Sequence, residues 1–194
     1  MDRTDGHPDN HLERWAGGLH AADVSPIKNH RFDALVLWSD RTFGARGFYG
    51  APPSFPAEEK VQTVLAFAGW SQNDGNAPAR VSACWAHQRD QYRLDRFDPG
   101  LYENRHRTHT PSIHADTGPR LTDRWRIWLR SDAALESIRS DYSGRFPSTG
   151  LGHHDRGRFS VAAIPEYTPG LWQFSAGGSA AVFENDRPSW HPAL

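Results

Sequence analysis

The feature that most limits what this chain can fold into is its punctuation. Apolar residues come in short runs, many alternating with polar ones, and glycine, proline and aspartate cut the runs apart. Runs of this kind at a period of two make strands joined by turns. The pattern predicts strands at 31–38 (RFDALVLW), 80–87, 91–97, 124–129, 158–164, 171–175 and 179–184. Three stretches read instead as helices. In NHLERWAGG, Asn10 and Glu13 form a capping pattern before Gly17 and Gly18. In AEEKVQTVLAFAGW, Val61, Val64, Leu65 and Ala68 make a helical stripe between Pro56 and Gly69, although Val61, Thr63, Leu65 and Phe67 suit a strand equally well. In SDAALESIRSDY, Ser131 or Asp132 is placed to cap. Residues 39–56, with Gly44, Gly47, Gly50 and three prolines, read as a long loop.

The fold expected is therefore mainly β with flanking helices (α+β), a single β-barrel, double-stranded β-helix or sandwich domain over residues 1–194. Residues 1–30 form its helical or irregular N-terminal flank. A doubly wound parallel sheet is disfavoured because strands and helices do not alternate.

Charge and apolar content narrow the function classes. The net charge is -1, which argues against nucleic acid as a partner, and acidic residues interrupt every basic cluster. Arginine supplies 20 of the 22 basic residues, Lys28 and Lys60 the other two. Cys84 is alone, so no intrachain disulfide forms. The N-terminus is polar and no apolar run approaches the roughly 18 residues of a membrane helix. On these grounds the expectation is a soluble, cytoplasmic protein with no membrane partner.

Histidines and carboxylates supply the candidate chemistry. His106, His109 and His114 cluster with Glu103, Asp98 and Asp116, and imidazole with carboxylate suits a divalent transition metal. A His-x-Asp pair on a strand puts both side chains on one face. Three such pairs occur, His7/Asp9, His114/Asp116 and His153/Asp155, which weakens the signal of any one. In DRWRIWL, Arg124, Arg126 and Trp128 share a strand face that could grip a carboxylate-bearing substrate.

HAD at 114–116 and RFS at 158–160, with His153 and His154 between them, resemble the pattern of Fe(II)/2-oxoglutarate-dependent oxygenases. The DRWRIWL and TPGLWQF segments are similar to the aspartyl/asparaginyl and proline hydroxylase branch. The resemblance implies a double-stranded β-helix with Fe(II) held by His114, Asp116 and His153 or His154. It implies 2-oxoglutarate held by Arg158 and Ser160, and a small-molecule or peptidyl substrate at Arg126 and Trp128. His191 is an alternative distal ligand. Two other readings stand beside this one. One is a metal-free, tryptophan-lined β-barrel acting as a small-molecule binder, cyclase or isomerase. The other is a nucleic-acid or protein-interaction module. Oligomeric state and substrate identity are left open by the sequence.

Overall fold

The computed structural model describes residues 11–25, 27–47, 54–145 and 150–183, and the backbone of 189–193. They form one antiparallel sheet: β1 (Leu12–Val24), β2 (His30–Gly44), β3 (Glu58–Gln72), β4 (Ala79–Arg93), β5 (Tyr102–Thr117), β6 (Trp125–Gly144), β7 (Gly152–Tyr167), β8 (Phe174–Ser175), β9 (Gly177–Phe183) and β10 (Ser189–Ala193). The spatial order is β1-β2-β3-β4-β5-β6-β7-β9-β10, a meander in which each strand pairs with its neighbour in sequence, with the two-residue β8 also on β7. Among the described residues β1 pairs only with β2 and β10 only with β9, so both edges are open.

Flanking helices are absent from the described residues, and each helical expectation is corrected to strand. Residues 12–24 are β1, part of the sheet rather than a flank; Asn10 lies outside the described residues. The ambiguous 57–70 stretch takes its period-two reading as β3, and 131–142 belongs to β6. Local helix propensity is a weak preference that ladder pairing on both sides overrides. The loop expected at 39–56 is shorter, because β2 continues to Gly44; Gly50, Pro52 and Pro53 lie outside the described residues.

The strands are also longer than the apolar runs. β5 spans 16 residues and β6 spans 20, against a usual five or six. The extra length is polar on both faces, so it carries no hydrophobic signal. The polar stretch 102–117, read only as a histidine cluster, is the clearest instance. The β5–β6 ladder is interrupted at Thr110 and Pro111, as expected where proline removes a donor. The described connections 73–78 and 118–124 lie at the lower end and 94–101 at the upper end, where β2 and β6 also end.

This sheet has no conventional core. The only buried hydrophobic residues among those described are Ala45, Ala57 and Val61. The accessible surface is 13138 Å², whereas a compact protein of 21.8 kDa exposes about 9,300 Å². Apart from Leu37, the exposed large apolar residues of β1 to β7 share one face, among them Trp15, Leu19, Val36, Trp38, Trp85, Ile113, Leu129, Leu135 and Phe159. The apolar face is thus an exposed one.

Candidate functional site

Register converts the sequence into rows of side chains across the sheet. One apolar-face row runs Ala21–Ala34–Ala68–Ala83–Ile113–Ala133–Phe159. Another, three rows higher, runs Trp15–Asp40–Gln62–Arg89–Arg107–Arg139–His153. The upper limit of the apolar residues is Trp15 on β1 but Phe159 on β7. It therefore descends three rows across six strand steps, about 20 Å over about 29 Å, a slope near 35°. That slope matches the strand tilt of a membrane β-barrel, about 35–45°, for a band lying level in a bilayer. Aromatic residues rim the band. Trp15, Trp38 and Trp85 stand at the upper rim, and Trp70 with the stacked Trp125–Tyr167 pair, 4.7 Å between ring centroids, at the lower.

The opposite face is polar and holds the residues the sequence singled out. His114 donates from Nδ1 to Asp132 Oδ1 at 2.6 Å and from Nε2 to Asp116 Oδ1 at 2.9 Å, a geometry that needs the imidazolium form if both carboxylates are ionised. Ser160 Oγ donates to the other oxygen of Asp132 at 3.4 Å. β5, β6 and β7 place these groups by register, since His114, Asp132 and Ser160 are direct cross-strand partners. Trp128 Nε1 donates to Glu166 at 3.1 Å, and Arg126 donates to the Gly75 carbonyl at 2.9 Å while lying 5.4 Å from the Trp128 ring centroid. A concavity on this face is lined by Arg31, Asp33, Arg80, His114, Asp116 and Trp128, suited to a polar or charged solute.

The structure brings His114, Asp116 and Ser160 together, but around Asp132, which the sequence reading had placed in a helix cap. It does not bring a second imidazole. His154 lies on the same face six residues beyond Ser160, about 20 Å along the strand. His153 faces the apolar side and pairs with Asp155 at 3.0 Å. His106 and His109 point to opposite faces, His109 stacking on His87 at 4.3 Å. His7, Asp9 and the His191 side chain lie outside the described residues. Among the described residues no group of three His, Cys, Asp or Glu is arranged to hold a metal ion. Arg158 is exposed on the polar face, its Phe159 neighbour pointing to the apolar one.

Above the band, β4 and β5 project with a separate cluster. Glu103 is only 3% exposed and accepts from Arg93 Nε at 2.8 Å and Gln91 Nε2 at 2.9 Å, with Arg105 on its other oxygen. Burial pushes its carboxyl up. The Arg93 and Gln91 hydrogen bonds and the charges of Arg105 and Arg93 outweigh that and hold it below its ordinary value.

No family model and no curated protein matches the sequence. Solved structures do match the fold. The ferric citrate transporter FecA in its unliganded form aligns with a TM-score of 0.68 at 14% identity, covering 96% of this chain and 31% of that one. The copper transporter OprC gives 0.67 at 10% identity over 89% and 28%, and the RagAB peptide transporter 0.66 at 9% over 93% and 29%. The likeness is one of fold: the sheet follows part of the structure of each of these three transporters. The chain spans under a third of the length of each. These neighbours overturn the oxygenase resemblance, and with it the dioxygenase reading built on Fe(II) and 2-oxoglutarate at His114, Asp116, His153, His154, Arg158 and Ser160. They equally overturn the expectations of a cytoplasmic protein with no membrane partner. Those expectations failed because the apolar-run test detects membrane helices, whereas a strand crosses a bilayer with only about 9–11 residues, alternate ones polar.

Proposed function

We propose that this chain forms an arc of the wall of a membrane-embedded transporter barrel, its apolar face in lipid and its polar face lining the lumen. The observation that carries the reading is the inclined, aromatic-rimmed apolar band on the exposed face of a sheet without a core. A bilayer supplies the cover that a soluble fold would need from its own chain. The upper end, with its projecting polar strands, faces the cell exterior, and the lower end, with the turns 73–78 and 118–124, faces inward. The concavity around Arg31, Asp33, Arg80, His114, Asp116 and Trp128 is then a lumen wall that meets polar solute, and the His114–Asp132 pair keeps that wall charged yet ordered. The open edges β1 and β10 must meet partner strands for the arc to sit in lipid, since unpaired backbone groups there cost several kcal/mol each.

The test is depth-resolved quenching of single-tryptophan variants of the full chain in vesicles whose acyl chains carry bromine. Trp15, Trp38, Trp85 and Trp125 are expected to be quenched by the lipid and Trp128 spared, while an aqueous quencher reaches Trp128. Equal quenching of all five, or none by lipid, would overturn the reading.

A further inference from the structure

The row that starts at Trp15 on the rim climbs above the inclined band by β4, and its composition there is unusual. Arg89 on β4, Arg107 on β5 and Arg139 on β6 are direct cross-strand neighbours on the outward face, followed by His153 on β7. Like charges directly opposed across a ladder destabilise it. Most cations nearby on this face are neutralised. Lys60 pairs with Asp40 at 3.4 Å, Arg93 and Arg105 with Glu103, and Arg139 with Asp141 at 3.5 Å. Arg89 and Arg107 are exposed, and no carboxylate among the described residues pairs with either. They border one shallow groove with Lys60, Gln62, Gln91 and Arg105, while Asp90 and His106, which also line it, alternate to the opposite face.

Height selects the occupant. Arg89 lies four residues above Trp85, with His87 between them stacked on both Trp85 and His109 at 5.7 and 4.3 Å. With the band in hydrocarbon and tryptophan at the interface, Arg89 stands about 11 Å above the rim and Arg107 roughly 3 Å higher, in the headgroup layer. Guanidinium groups are strong, geometrically matched phosphate binders, and two side by side suit a phosphate that carries more than one negative charge. Resting on the wall reading above, we propose that Arg89 and Arg107, flanked by Lys60 and Arg139, form an outward-facing site that clamps the phosphate of an anionic lipid headgroup. The site holds the barrel at a fixed depth and relieves the repulsion built into the row.

The full chain, reconstituted in phosphatidylcholine vesicles with a minor share of phosphatidic acid, is extracted gently and the co-purifying lipid counted by native mass spectrometry. Wild type is expected to enrich phosphatidic acid, less so at high salt. Arg89→Gln with Arg107→Gln should reduce the enrichment roughly 30-fold, about fivefold per arginine. Arg89→Lys with Arg107→Lys should keep part of it, and Arg158→Gln on the polar face should leave it unchanged. Enrichment that survives the double glutamine variant, or that inorganic phosphate abolishes at equal concentration, overturns the site. Bromolipid quenching of Trp85 in the same vesicles separates the two ideas. If quenching is intact and enrichment is not arginine-dependent, only the site falls; if quenching is absent, the wall reading falls and the site with it.

Discussion

At the scale of single residues, small side chains let aromatic rings lie flat on the backbone. A Cβ added at Gly118 would sit 2.7 Å from the Trp128 ring, and one at Gly17 would meet the Trp38 ring at 2.9 Å. Gly118→Ala must therefore displace Trp128 and loosen its bond to Glu166. We expect a changed near-ultraviolet circular dichroism signal and a loss of about 1–3 kcal/mol in urea unfolding from lipid. Part of the polar-face cluster was legible at this scale. His114 and Asp116 share a face because the strand period is two, and Ser160 joins them. Asp132 was not legible, because its role depends on residues 125–144 forming one strand that sets it opposite both His114 and Ser160. The two later histidines were misjudged for the same reason: pairing register, not proximity in sequence, decides what converges.

At the scale of elements, each strand carries two codes, one per face, and the codes predict opposite responses. Leu129 stands within the band on the apolar face, so Leu129→Arg should cost about 2–4 kcal/mol of stability in a bilayer. Thr110→Arg on the polar face should change it by less than about 1 kcal/mol. Folding titrations into vesicles compare the two. The projecting ends of β4 and β5 answer to pH instead. Glu103 has a lowered folded-state pKa, so its contribution is full above the ordinary carboxylate value of 4.5 and is lost as pH falls through the lowered one. Hydrogen exchange in Arg89–Asn104 should accelerate below about pH 4 in wild type, and Glu103→Gln should be already loosened and insensitive to that change. The ambiguity at 57–70 shows why elements were harder to read than residues. Val61, Val64, Leu65 and Ala68 satisfy a helix as well as a strand, and only pairing with β2 and β4 resolves it.

At the scale of the whole molecule, the sheet holds itself together through its ladders and not through a core. On the barrel-wall reading, detergent or lipid replaces water on the apolar face. Diluting the folded chain below the detergent's micelle concentration should drive it to aggregate, with sedimentation following the loss of detergent rather than any unfolding transition. The punctuation, the alternation and the mostly β character were determined by the sequence alone, because turn chemistry and side-chain period are local. Which way the apolar face points was decided only in three dimensions. Alternation reads the same whether that face covers a core or meets lipid, and the difference emerges only when register aligns the apolar residues of seven strands into one inclined band that none of the described residues covers.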